Sequence, residues 1–160
     1  MKTNIKISTR NLNFHYGKNQ ALFDNNLDIH ANKITAVIGP SGCGKSTLLS
    51  VLAGVLRQDG GTFLCDGVDL FRDPAKRAKM VGYVPQGTPL LEELSARDNL
   101  RLWYSPEGLE RELNGGVLQM LGVDEFLTVP VSKMSGGMKK RLSIGCAMAG
   151  RPPILLLDEP

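Results

Sequence analysis

The sequence lacks any apolar run near the ~20 residues that a membrane-spanning helix needs. No run exceeds four residues, and Ile154–Leu157 has the length of a single buried strand. The opening residues, MKTNIKISTR, contain no apolar stretch of the kind found in a secretory leader, so none is expected. Cysteine is scarce: Cys43, Cys65 and Cys146 are odd in number and widely spaced. That set gives neither a zinc pattern nor a disulfide framework, and reduced thiols in a cytosolic setting are the expectation. Aromatic residues make up only 6% of the chain. The charge excess is +3, from 19 Lys+Arg against 16 Asp+Glu, too small to argue for nucleic acid. No internal repeat or low-complexity segment is present.

What the chain does contain is ordinary for a globular protein. Hydrophobic residues are 42% and charged residues 22%, which argues against intrinsic disorder. Its 160 residues suit one domain. Glycine is plentiful at 18 residues, and the glycines are clustered.

Residues 5–38 read as β-structure, with alternation at Ile5-Lys6-Ile7 and Leu27-Asp28-Ile29. Ile34-Thr35-Ala36-Val37-Ile38 is rich in β-branched residues and ends at Gly39, the pattern of a buried strand. A helix is predicted from Lys45 to Leu56, with Leu48, Leu49, Leu52, Val55 and Leu56 at helical spacing. A turn at 58–61, a strand over 62–65, a turn at Asp66-Gly67 and a strand over 81–84 follow. Helices are predicted over 95–103, 107–121 and 137–150, the second weakened by Gly115-Gly116. The chain then returns to a buried strand at 154–157.

Gly39-Pro40-Ser41-Gly42-Cys43-Gly44-Lys45-Ser46-Thr47 fits the phosphate-loop pattern G-x-x-x-x-G-K-[ST] between a predicted strand and a predicted helix. Glycines let backbone N–H groups converge in one concavity, which opens on a helix N-terminus that favours anions. Lys45 would reach the β- and γ-phosphates, the Ser46 hydroxyl would ligate Mg2+, and Thr47 would lie near the α-phosphate. Cys43 stands at a variable position and reads as a bystander. The bland alternative is a glycine-rich turn with a chance lysine.

Ile154-Leu155-Leu156-Leu157-Asp158-Glu159 is an apolar strand that ends in two acids. Such a strand delivers its first acid to the carboxyl edge of a sheet, where α/β folds bind ligands. Asp158 suits the Mg2+ shell and Glu159 suits a general base that polarises water. A solvated acidic turn is the alternative, weakened by the phosphate loop upstream.

Ser135-Gly136-Gly137-Met138-Lys139-Lys140-Arg141-Leu142-Ser143 lies between these motifs. A Ser-Gly-Gly that opens a helix shortly before an Ile-Leu-Leu-Leu-Asp-Glu strand resembles the signature of ABC-type ATPases. Gly39–Thr47, Val84-Pro85-Gln86, Ser135–Gly137 and Ile154–Pro160 stand in that family's order and spacing, so the resemblance covers nearly the whole chain. It implies an α/β fold: a P-loop NTPase (RecA-like) core with an N-terminal antiparallel β subdomain and an inserted helical subdomain, incomplete at its C-terminus. Residues 1–86 and 151–160 would form the nucleotide-binding core and 87–150 the helical subdomain. The resemblance places Tyr16 where an aromatic stacks on adenine, against the alternative of a surface tyrosine. Gln86 matches the glutamine that contacts Mg2+ or the lytic water and joins core to helical subdomain. Ser135, Gly136 and Gly137 would contact the ATP held by the opposing phosphate loop of a head-to-tail dimer. The catalytic set is then Glu159, Gln86 and Lys45; ATP would be held by Tyr16 and Gly39 to Thr47; Mg2+ by Ser46, Gln86 and Asp158.

Two departures qualify the resemblance. The signature begins with Met134 and continues into Met138, where the commonest form has leucine and glutamine. The Ser-Gly-Gly-Met-Lys-Lys-Arg-Leu run looks most like ATPase subunits of the ABC-2 exporter type. The chain also stops at Pro160, before the D-loop, the further strands and the switch histidine of the family; His15 and His30 lie upstream of the phosphate loop. The expectation is therefore the front portion of an ABC ATPase, with an unpaired strand edge and reduced stability as an isolated fragment. Lys139, Lys140 and Arg141 read as a solvated helix face or as a positive field near the partner's phosphates, and nucleic acid is not an expected partner. The expected function is an ATPase subunit at the cytoplasmic face of a membrane, paired with a second ABC ATPase domain and a transmembrane permease. A non-catalytic ATP-binding module is the alternative. A soluble ABC ATPase of translation or DNA repair fits poorly, because 87–150 is too short and too broken for a coiled coil.

Overall fold

Asparagines interrupt the alternation of residues 5–30, and the interruptions prove to be bulges in a long hairpin. The structure, a computed structural model, describes residues 5–159. It divides into two compact units, Met1–Met80 and Val81–Pro160.

In the first unit β1 (Ile5–Tyr16) and β2 (Asn19–His30) pair antiparallel around Gly17-Lys18. Gly17 has φ 60°, the left-handed backbone that a tight hairpin turn requires. Register shifts on either side of Leu12 coincide with left-handed Asn11 (φ 49°) and Asp24 (φ 40°). Short polar side chains tolerate that backbone because they bond locally. The Asn11 amide donates to Asn26 Oδ1 at 3.0 Å, and Asn13 Nδ2 donates to Asp24 Oδ1 at 2.8 Å. The sequence pattern therefore shows two short alternations where the fold has two twelve-residue strands.

β3 (Gly60–Cys65) pairs antiparallel with β1, and β4 (Val68–Asp69) folds back on β3 through the predicted Asp66-Gly67 turn. The strand order is β2-β1-β3-β4. α1 (Lys45–Ala53) packs against β2 and buries Leu48, Val51 and Leu52. It stops short of the predicted Leu56 because Gly54 turns left-handed at φ 87° and its amide caps the Ser50 and Val51 carbonyls. α2 (Pro74–Met80), which no apolar periodicity announces, starts after Asp73, whose carboxylate accepts from the Lys76 amide at 2.9 Å.

The predicted strand over 34–38 is a correction. Residues 33–40 carry no strand in this structure, and Ile34 and Ile38 are fully or almost fully exposed. A β-branched run is suited to a sheet, but a ladder also needs a hydrogen-bonded neighbour and apolar cover on both faces. Among the described residues the sheets run β2-β1-β3-β4 and β5-β6, and neither includes this segment.

The second unit opens with β5 (Val81–Val84), which pairs in parallel with β6 (Ile154–Leu157); Val84 stands opposite Leu157. Between them lie α3 (Ala96–Arg101), α4 (Pro106–Leu113), α5 (Val117–Met120), two 3-10 turns (Asp124–Phe126 and Val131–Lys133) and α6 (Gly136–Ala147). Ser95, Ser105 and Ser135 are the N-caps of α3, α4 and α6, each accepting from the amide three residues on. The single helix predicted over 107–121 is broken in two, because Gly115 turns left-handed at φ 110°. Ala96, Leu100, Leu109, Leu118, Phe126 and Leu142 form the centre of this unit's core.

Candidate functional site

The expected site residues fall in both units. Tyr16 and the 39–47 loop belong to the first; Gln86, Ser135–Gly137, Asp158 and Glu159 belong to the second. The 160th residue, part of the acidic motif, lies outside the described residues.

In the loop, Gly42 (φ 80°) and Gly44 (φ 93°) are left-handed, a backbone that L side chains rarely adopt. A Cβ on Gly44 would also lie 3.0 Å from the Ala21 carbonyl oxygen on β2, so this glycine answers both to turn geometry and to close packing. Gly44 is the N-cap of α1 and supplies no side-chain cap. The first-turn amides of α1 therefore keep the donor character that suits an anion. Lys45 Nζ donates to the Gly39 and Pro40 carbonyls, each at 2.8 Å, and lies 3.6 Å from Cys43 Sγ. An ammonium held over a curl of backbone with a helix N-terminus beneath is the donor set that a phosphate group fits. Cys43 is exposed, whereas burial raises the Cys65 thiol and pushes Cys146 up to about 12, so both stay protonated thiols.

Tyr16 ends β1 beside α1: its hydroxyl lies 3.3 Å from Thr47 Oγ1, and its ring meets Phe14 edge-on at 4.8 Å between centroids. About half of Tyr16 is exposed, so one face is open to a flat ring. Tyr16→Ala should weaken binding of ATP and GTP alike, since a ring face reads no base edge. Competitive titration of both nucleotides against a fluorescent analogue measures this; unequal losses would mean a base-specific contact.

In the second unit the parallel pairing of β5 and β6 brings their carboxyl ends to one edge. Asp158 follows β6, is buried, and its amide donates to the Val84 carbonyl at 2.9 Å. Glu159 is exposed and has φ 52°, a strained backbone for a glutamate that costs roughly 1 kcal/mol. Gln86, two residues beyond β5, donates from Nε2 to Glu159 Oε2 at 2.7 Å. The pair thus aims a carboxylate acceptor and an amide into solvent at the sheet edge. Such a carboxylate can take a proton from water, and the amide can orient it. Among the described residues no cluster of three or more His, Cys, Asp or Glu exists to cage a metal. Mg2+ with one or two protein oxygens and phosphate ligands is the class of ion this residue set fits.

Ser135 caps α6 by accepting from the Met138 amide at 3.2 Å, and Gly136 and Gly137 are exposed in its first turn. Met134 is buried in the helical core, where it anchors the turn in the way a leucine would. Lys139 pairs with Glu92 at 3.2 Å, and Arg141 donates to the Leu121 carbonyl at 3.1 Å and lies over the Phe126 ring. These two cations of the basic run are engaged within the unit rather than forming a solvated face.

The profile of the family described as ABC transporter matches residues 22–160. This chain belongs to the ABC transporter family. Among its ABC relatives, the probable multidrug ABC transporter ATP-binding protein YbhF of Escherichia coli is 35% identical over 136 residues, covering 82% of this chain and 24% of that protein. The sulfate/thiosulfate import ATP-binding protein CysA of Neisseria meningitidis serogroup B is 34% identical, covering 98% of this chain and 46% of that protein. The structure of cbiO1 from Clostridium perfringens, part of the ABC transporter complex cbiONQ, superposes with a TM-score of 0.82 at 27% identity, covering 98% of this chain and 66% of that one. The chain thus spans between a quarter and about two thirds of the length of these relatives. The fold is that of an ABC-family P-loop nucleotide-binding domain, mixed α/β with an antiparallel sheet at its N-terminal end.

Proposed function

We propose that this chain is the ATP-binding and ATP-hydrolysing part of a membrane ABC transporter, an exporter of the ABC-2 type, which works by head-to-tail dimerisation of two such domains around ATP and Mg2+. The contact between Gln86 and Glu159 carries this reading. These residues, 73 positions apart, are expected at the site from separate motifs, and they meet at one sheet edge. The relatives are ATP-binding proteins of transporters, YbhF a multidrug and CysA an import protein by name, so the exporter direction rests on the Ser-Gly-Gly-Met-Lys run.

The roles follow from the side chains. Lys45 and the amides of Gly39 to Thr47 bind phosphates, and Tyr16 stacks on the base. Ser46, Gln86 and Asp158 provide oxygens for Mg2+, and Glu159 accepts the proton of the attacking water. Bound MgATP supplies the phosphoanhydride that is cleaved. Residues 1–86 with 151–160 act as the nucleotide-binding core, and 87–150, with the signature, as the helical subdomain. Among the described residues no helix is long and apolar enough to cross a membrane. By likeness to relatives that are ATP-binding proteins of transporters, the proposed partner is a transmembrane permease and the proposed place is the cytoplasmic face of the membrane. Nucleic acid is not a partner.

The direct test is phosphate release from MgATP by the intact protein; no release above background would overturn the hydrolytic reading. The dimer is tested at the signature. In the intact protein, Ser135→Arg should abolish ATP-dependent dimerisation in sedimentation while leaving monomer affinity for ATP within about twofold, because the serine acts on the partner's nucleotide. The lost N-cap costs about 1 kcal/mol of stability, which a thermal melt separates from the dimer defect. Loss of ATP binding by the monomer would contradict the in-trans role.

A further inference from the structure

The acid-bearing strand has a register problem that its own residues do not solve. Ile154-Leu155-Leu156-Leu157 is apolar at every position, so sliding β6 by one residue keeps isoleucine or leucine at three of its four ladder positions, and the apolar run alone holds the register weakly. The ladder is only four residues long. Yet one step of slip would put Glu159 or Leu157 in the place of Asp158 at the sheet edge. The register has to be set from the ends of the strand.

At its entrance the chain turns through two left-handed residues, Gly150 (φ 76°) and Arg151 (φ 54°). The Arg151 guanidinium reaches a buried carboxylate on α4: Nε and Nη2 lie 3.0 and 2.7 Å from Glu112 Oε1. Glu112 is 3% exposed, and its other oxygen accepts from the Val117 amide at 3.1 Å; Arg111 Nε stands 3.6 Å from Oε1. The Val117 amide above all, with Arg151 and Arg111, holds the Glu112 carboxyl below its ordinary range. Next in the chain, Pro152 lies over Gly82 of β5, where a Cβ would meet the proline ring at 2.9 Å and the Ala147 carbonyl at 2.5 Å. The linker is thus pinned on both sides immediately before Ile154.

We propose that Glu112 and Arg151 are positioning residues that lock the register of β6, and through it place Glu159 against Gln86. The inference rests on the hydrolytic reading above for its consequence in turnover, but not for its structural content. A two-pronged guanidinium fork fixes both distance and direction, which a lysine cannot do. The pair also ties the helical part of this unit to the strand that carries the acids, so displacement of α4 is felt at Glu159.

The test uses the intact protein labelled with 15N. The Gln86 side-chain amide is assigned by its loss in Gln86→Leu, and Glu159→Ala marks its position when the contact is absent. Arg151→Ala and Glu112→Gln should each move the Gln86 resonance toward that marker, and the double variant should move it no further than Arg151→Ala alone. Arg151→Lys, which keeps the charge and is the milder change, should fall between. In the same variants kcat for ATP should drop about tenfold, with KM within about twofold, as expected of misplacement without lost binding. A Gln86 resonance that stays at its wild-type position in variants with a native core methyl spectrum would overturn the proposal. If Arg151→Ala does not fold, Arg151→Lys alone decides. If the wild-type protein does not hydrolyse ATP, the hydrolytic reading fails while the Gln86 resonance still reports the register.

Discussion

Lys45→Ala is expected to lower the affinity of the intact protein for MgATP by about a hundredfold or more, with little effect on folding. The ammonium donates to two loop carbonyls and is only partly buried, so no core contact depends on it. What the substitution removes is the positive charge over the curled backbone between Gly39 and Gly44. Charge-assisted hydrogen bonds to phosphate contribute about 1.5–3 kcal/mol each, and two of them correspond to about a hundredfold at the low end and ten-thousandfold at the high end in affinity. Isothermal titration with MgATP, beside a thermal melt, measures both quantities. Unchanged affinity would mean that the loop does not hold phosphate.

Glu159→Gln is the complementary case. It should reduce MgATP turnover by about a hundredfold to ten-thousandfold and leave nucleotide affinity within about twofold. The replacement keeps the size of the side chain and an oxygen able to accept from Gln86, so the contact at the sheet edge is retained. Only the basicity toward water is lost. Single-turnover phosphate release at saturating MgATP isolates that step from binding. Turnover that persists at the wild-type rate would move the general base to another residue. A loss of affinity as large as the loss of rate would show that Glu159 acts in binding.

The motifs were legible in the sequence because each is local. Gly39 to Thr47 encodes its own curl through glycines that only a left-handed backbone explains, and Gly42 and Gly44 adopt it. Ser95, Ser105 and Ser135 behave as helix caps, although only Ser135 was marked by a motif. The Asp66-Gly67 turn is legible in its residues, but the two-residue strand beyond it is too short to carry a pattern. The long hairpin was hidden because its bulges put asparagines where alternation calls for apolar residues. The pattern and the fold differ most clearly at Ile34–Ile38. A strand's apolar residues state a preference for burial and do not by themselves provide the neighbour that pairs with it.

The family, the order of the motifs and the residue types within each motif are legible in the amino-acid order, because they depend on spacing and side-chain chemistry alone. Which distant residues meet is a property of the packed chain. Gln86 donates to Glu159 because β5 and β6 lie parallel in one register, and the apolar run 154–157 does not by itself specify that register. Glu112 grips Arg151 across 39 positions because a buried carboxylate must find donors, and the fold presents the guanidinium fork there. Local patterns follow from one stretch of backbone; pairings across the chain follow from packing, which depends on every segment at once.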